Sequence, residues 1–350
     1  MALATTELRK LTFRYFTGYL KTHLSSNKPL LEELESRGHN VNITQWRNED
    51  EHSKIIEVLD IGDILLIEDK SPARSEKHKN QIRIRALHGI GKFRWNRLPI
   101  SALRYDMMIL PTANWIPVFN RLCSNSIDTH FGIGGGWSKF DIYYKYLKNR
   151  KETREYIYNK YNFDKNKKLI IYGPTGIRLG SEHLDQWLKQ GWPKDSYQRH
   201  GSAYLRKEVK EIIQRYGNMY EIEHPCLNEV DITEDRIPMM VAADMFIGDI
   251  SSMTHEFSLI DKPIIQMMKN IEDRLSGDFH IFCNPNEETI DFGDIIDVKD
   301  LDKTIQSRLA KDSHRDRREY LKEKYVGICD GKAASREADA IEEFCQTLKL

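Results

Sequence analysis

The chain has 350 residues, 40% of them hydrophobic, and its 53 Lys plus Arg are balanced by 53 Asp plus Glu. That length and apolar content fill two domains, and a formal net charge of zero removes the overall field that would recruit nucleic acid or an anionic membrane. Five scattered cysteines (Cys123, Cys226, Cys283, Cys329, Cys345) without C-x-x-C spacing argue against a disulfide framework and a zinc knuckle, no run approaches the ~20 apolar residues of a membrane span, and the first residues lack an apolar signal core. The expectation is a cytoplasmic protein, soluble or peripheral.

In chain order, residues 8–23 are basic and aromatic without an acid. They are expected as a first-domain helix with a solvated basic side, a helix resting on a membrane surface being the alternative. A helical pattern from Pro29 closes at Gly38, where glycine suits a C-cap. Val41–Ile43 and Ile61–Ile67 read as strands with a helix near Ser53–Leu59 between them. Ile82–Leu87 alternates like a strand and runs into His88-Gly89-Ile90-Gly91-Lys92-Phe93. In an open α/β sheet, groups just past the carboxyl end of a strand sit in the ligand crevice, which suits His88 to chemistry, Gly89 to close backbone approach and Lys92 to phosphate. The competing reading of a lone His is a polar surface or satisfied core residue.

Tyr105–Thr112 is a further strand, followed by a helix through Trp115 and Phe119. The glycines of Thr129–Asp141 are not spaced G-x-G-x-x-G and read as a flexible strand-end loop lining the cleft. Residues 142–168 carry a Tyr- and Lys-rich helix, and the domain boundary is set there: residues 1–160 form an N-terminal domain and 161–350 a C-terminal one. Leu169–Tyr172 is the first strand of the second half, ending in Gly173-Pro174-Thr175-Gly176-Ile177-Arg178. Arg178 either pairs with a phosphate or is an ordinary surface arginine. A polar helix at 203–216 precedes the strand Met219–Glu223, which leads to His224-Pro225.

Ala243–Phe257 carries a short buried strand, a turn with Gly248 and Asp249, and a helix that begins at the hydroxyls Ser251 and Ser252 and stops near Asp261-Lys262-Pro263. Those hydroxyls either only cap the helix or, with its free N–H groups, hold a phosphate. Strand-like Ile290–Phe292 and Ile295-Ile296 follow. The charge-dense stretch Asp312–Tyr325, with Arg315, Arg317 and Arg318, reads as a solvated helix face because acids are interleaved. Asp330-Gly331-Lys332-Ala333 turns into a final amphipathic helix, Ala338–Leu348, able to pack back on the N-terminal domain. Strands alternating with helices imply parallel sheets.

Taken together, His88-Gly89-Ile90-Gly91-Lys92, Gly136-Trp137-Ser138-Lys139-Phe140-Asp141, Tyr172-Gly173-Pro174-Thr175, His224-Pro225, Asp249-Ile250-Ser251-Ser252 with Glu256 and Lys262-Pro263, and Asp330-Gly331-Lys332-Ala333 resemble, in that order, the CDP-glycerol glycerophosphotransferase family of teichoic acid and capsule polymerases and primases. The resemblance covers roughly residues 80–345. It implies an α/β GT-B fold, two Rossmann-like domains with parallel sheets facing across a cleft, the acceptor side in the first and the donor nucleotide in the second. It also implies transfer of a polyol phosphate from a CDP-activated donor to a hydroxyl of a glycan or lipid-linked acceptor. CMP is released, no metal or cofactor is needed, and the protein is cytoplasmic or peripheral on the inner membrane face.

In that scheme His88 matches the general base, and His224 and the Ser251-Ser252 turn match groups that hold the donor phosphates; Gly89, Lys92, Pro174, Thr175, Arg178, Asp249 and Glu256 are the further candidates for holding the donor. Leu87, Ile250 and Ser138 stand where the family usually has Trp, Tyr and Pro, changes that bear on donor choice. The alternative is a GT-B enzyme acting on a sugar nucleotide, a glycosyltransferase or a UDP-N-acetylhexosamine epimerase. A non-catalytic nucleotide-binding protein is the third reading.

Overall fold

A computed structural model describes residues 10–18, 21–46, 64–67, 81–86, 105–122, 129–173, 206–222, 236–248, 252–267, 283–284, 288–289 and 291–348. The described residues fall into two compact units. One holds those up to Ile142 together with Gly327 onward, and the other holds Tyr143–Val326.

The first unit contains β1 (Thr12–Gly18), α1 (Lys21–Ser36), β2 (Asn40–Trp46), β3 (Ile64–Ile67), β4 (Arg83–Arg85), β5 (Met107–Leu110), α2 (Trp115–Leu122) and β6 (His130–Ile133). All six strands are parallel, in the order β2-β1-β3-β4-β5-β6. Thr12–Gly18 is therefore a strand between β2 and β3, and not part of the helix expected over 8–23. The reason is a period of two: Phe13 and Tyr15 are fully buried while Thr12 and Arg14 are half-buried, and aromatic and β-branched side chains pack well on a pleat. Phe13, Tyr15, Ile64, Leu66, Ile84, Met107 and Ile109 form one core with Leu30, Leu31 and Leu34 of α1. Gly38, with a φ of +90°, ends α1 in the backbone conformation glycine reaches without strain.

The chain passes from the first unit to the second within α3 (Ser138–Lys148), which is followed by α4 (Arg150–Lys160). These are two helices broken at Asn149, where one was expected. The second unit continues with β7 (Lys168–Gly173), α5 (Arg206–Gln214), β8 (Gly217–Glu221), α6 (Ile237–Ala242), β9 (Met245–Gly248), α7 (Ser252–Ser258), β10 (Ile264–Met267), the short hairpin β11 (Cys283–Asn284) and β12 (Glu288–Thr289), β13 (Asp294–Ile296), α8 (Leu301–Ala310) and α9 (Arg315–Leu321). Its five-stranded sheet is parallel, in the order β13-β10-β9-β7-β8. Runs such as Leu169–Tyr172 and Met245–Ile247 are apolar without alternation because both faces are buried. Ile170, Tyr172, Met245, Ile247, Ile265 and Met267 share one core with Val209 and Ile213 of α5 and Leu301 and Ile305 of α8. Asp291 and Phe292 lie outside the strand expected there; Phe292 instead buries its ring edge-on against His255, 4.9 Å between centroids.

The last helix, α10 (Ala333–Thr347), belongs to the first unit, where Ala338, Ile341, Phe344 and Cys345 complete the core beneath β1 and β3–β5. It is pinned to the end of α1 by Arg37, whose guanidinium donates to Asp339 at 2.7 Å and to Glu342 at 2.8 Å, and by His39, 2.9 Å from Glu342.

Candidate functional site

In the second unit the strands occur along the chain as β7, β8, β9, β10 and β13, so the spatial order reverses between β7 and β9. Ligands of open α/β sheets bind outside the carboxyl ends of the strands at such a reversal. The final residues of the two strands, Gly173 and Gly248, are partners in register. A Cβ at Gly248 would lie 2.8 Å from the Gly173 carbonyl oxygen and 2.7 Å from the Phe246 ring, and one at Gly173 would lie 2.8 Å from both the Phe246 ring and Met253 Cε. Only bare backbone fits at either strand end. In the sequence, residues expected to hold the donor come directly after these strand ends: Pro174 and Thr175 after Gly173, and Asp249, Ser251 and Ser252 after Gly248.

Of the residues singled out in the sequence, the described part of the structure contains Ser252 and Glu256. Ser252 is the first residue of α7, and Glu256 lies one helical turn on. His88, Gly89, Lys92, Pro174, Thr175, Arg178, His224, Asp249 and Ser251 lie outside the described residues. Glu256 is 2% exposed, and its Oε2 accepts a hydrogen bond of 2.7 Å from the hydroxyl of Tyr143, which is itself fully buried on α3. The same hydroxyl is 3.2 Å from Met240 Sδ. Burial pushes the pKa of the nearby Arg236 guanidinium down, and the charges of Glu256, Tyr143 and Tyr220 oppose that shift. Sequence reasoning missed Tyr143 and Arg236. Tyr143 is one of several tyrosines in a helix of mixed composition, and only the packed structure shows which of them meets a carboxylate.

The glycine-rich loop has a different character from the flexible, cleft-lining loop expected. Residues 134–137 join β6 to α3 and are closed over by the end of the chain. Gly135 has a φ of +66° and accepts a hydrogen bond of 2.8 Å from Ile328 N, while a Cβ at Gly136 would lie 2.4 Å from the Ile328 carbonyl oxygen. Asp141 caps α10, its two oxygens accepting from Ala333 N at 2.9 Å and Ala334 N at 2.8 Å. Arg336 forks onto Asp330 at 2.9 and 3.0 Å and donates to the Gly134 carbonyl at 2.6 Å. Two motifs almost two hundred residues apart, Ser138–Asp141 and Asp330–Ala333, are thus one structural joint.

Within that joint the fully buried Glu337 carboxyl accepts from Ser138 N at 2.9 Å, and desolvation pushes its pKa up to about 8. Asp141 is also raised by burial, against two backbone hydrogen bonds that lower it. No group of three or more His, Cys, Asp and Glu side chains among the described residues could hold a metal ion, and none of their helices is long and apolar enough to cross a membrane.

Residues 205–343 match the family model described as CDP-Glycerol:Poly(glycerophosphate) glycerophosphotransferase. The chain is 22% identical over 224 residues to the teichoic acid glycerol-phosphate primase of Bacillus spizizenii, 59% of this chain and 52% of that one. It is 28% identical over 186 residues to the teichoic acid ribitol-phosphate primase of the same organism, 51% of this chain and 45% of that one. The chain spans about half the length of these curated relatives. The structure of the wall teichoic acid polymerase TagF is similar with a TM-score of 0.62 at 12% identity, over 96% of this chain and 90% of that one, which shows the GT-B fold.

Proposed function

We propose that the chain is a member of the CDP-glycerol glycerophosphotransferase family, whose model residues 205–343 match, and that it moves a polyol phosphate, glycerol phosphate or similar, from a CDP-activated donor to an acceptor hydroxyl. The observation that carries this reading is the coincidence of the chain reversal in the second sheet, at Gly173 and Gly248, with the turns that match the family's donor-holding motifs.

The donor lies outside the β7 and β9 strand ends, its phosphates held by the backbone of the turns after Gly173 and Gly248 and by the hydroxyls of Thr175, Ser251 and Ser252. Gly89, Lys92, Pro174, Asp249 and Glu256 complete the donor site, Glu256 through the turn it supports. His88 takes the proton of the acceptor hydroxyl as its oxygen attacks the phosphorus that bears the polyol; histidine has a pKa near working pH, which suits a general base. The bond from that phosphorus to the oxygen of CMP breaks, and Arg178 and a protonated His224 carry the charge that moves onto the departing phosphate. The first unit supplies the acceptor side and the second unit the donor side. The acceptor is the hydroxyl of a glycan or lipid-linked polymer primer, reached from the cytoplasmic face of the membrane, and the product is teichoic acid or a related envelope polymer.

The test is a donor panel of CDP-glycerol, CDP-ribitol and UDP-sugars with release of nucleotide as the readout. CMP release from a CDP-polyol is expected; UDP release without CMP would assign the chain to sugar-nucleotide chemistry instead. His88→Ala is expected to lose turnover by at least about 100-fold, the usual scale of general-base catalysis, while still binding CMP. A fully active His88→Ala enzyme would remove that residue from the mechanism.

A further inference from the structure

The helix α7 has seven residues, Ser252–Ser258, and it directly follows the turn assigned to the donor. A helix of that length does not hold itself together in water, so its position is set by what its side chains touch. Besides His255, whose ring meets Phe292 at 4.9 Å, two contacts of different kinds bear on this. Phe257 lies on Phe246 of β9, with ring centroids 5.4 Å apart, which is non-directional packing. Glu256 accepts the 2.7 Å hydrogen bond from Tyr143, which is directional and made to a carboxylate. Residue 256 is also one turn from Ser252, so a shift of the Glu256 side chain pulls on the backbone that begins the helix.

We propose that Tyr143 is a positioning residue for donor binding: through Glu256 it fixes α7, the helix that follows the β9 end of the strand reversal. Arg236 is the counter-charge that lets Glu256 remain in the interior of the unit, since a buried carboxylate without a compensating cation is costly. This inference rests on the donor occupying the β7–β9 reversal.

Tyr143→Phe removes the hydroxyl and keeps the ring. The expected result is a donor KM raised roughly tenfold, the scale of one hydrogen bond to a charged group, with kcat within about twofold and the acceptor KM unchanged. A role in folding alone would lower the active fraction and hence kcat, and would leave the donor KM where it was. Glu256→Gln and the double variant close a cycle in which the effects on donor KM are expected to be less than additive. If Tyr143→Phe fails to fold, Glu256→Gln alone is expected to raise the donor KM with kcat retained. A donor KM unchanged in Tyr143→Phe, or in Glu256→Gln where that is the variant that folds, overturns the inference, as does additivity in the cycle. A wild-type enzyme that turns over no CDP-polyol removes the donor reading itself, and this inference with it.

Discussion

Glu337 departs furthest from the ordinary behaviour of its residue type. It is 3% exposed, and with a pKa near 8 it is protonated in the folded protein at neutral pH. Between its unfolded value and about 8 the folded chain binds a proton that the unfolded chain has released. Its contribution to stability is therefore fully present below the unfolded pKa and is lost as pH rises through about 8. Thermal melts of the wild type and Glu337→Gln at pH 5.5 and 8.5 are expected to show a smaller loss of Tm with pH in the variant, whose amide oxygen still accepts from Ser138 N. Identical pH slopes would mean that the carboxyl is already ionised in the fold. Arg318 is the basic counterpart. The sequence suggests a solvated face, yet Arg318 is 1% exposed and bonded to Asp312 of its own stretch and to Asp261, 57 residues away, a partner no local charge pattern reveals.

At the scale of elements, the reversal at β7 and β9 depends on the absence of two side chains. Gly248→Ala places a methyl group 2.8 Å from the Gly173 carbonyl oxygen, a backbone atom that yields little. The cost expected from such overpacking is about 1–3 kcal/mol in denaturant unfolding, together with a loss of CMP affinity as the turn is displaced. Wild-type stability in this variant would show that the strand ends can separate freely. The buried strands β7, β9 and β10 and the helix after Gly248 were legible in the sequence, because unbroken apolar runs bounded by glycine and hydroxyl residues have few other solutions. Strand β1 was misread as a helix, since a run of basic and aromatic residues fits either period until a partner strand is known. The glycines at 134–136 were legible as a motif but not as a joint: what fills the space around them is the chain at 327–337, and no local pattern carries that pairing. Tyr143 was hidden for the same reason.

At the scale of the molecule, the described residues form two parallel sheets and one short antiparallel hairpin, with the strand reversal expected of nucleotide-binding domains, in a GT-B fold also seen in a teichoic acid polymerase. The closing helix α10 returns to the first unit and seals its core with Ala338, Ile341 and Phe344. Truncation before residue 333 is expected to expose that core and to abolish cooperative unfolding of the first unit, and a cooperative transition retained in the truncated chain would show that α10 is dispensable. The two sheets are a frame used by many nucleotide enzymes, and fold alone does not choose among them. What chooses is the leaving nucleotide. The central claim therefore rests most directly on one measurement, the nucleotide released when the wild-type protein is given CDP-glycerol, CDP-ribitol and UDP-sugars with a polyol-phosphate or glycan primer. The account predicts CMP from a CDP-polyol, dependent on primer; UDP as the only released nucleotide, or no release from any donor, would contradict it.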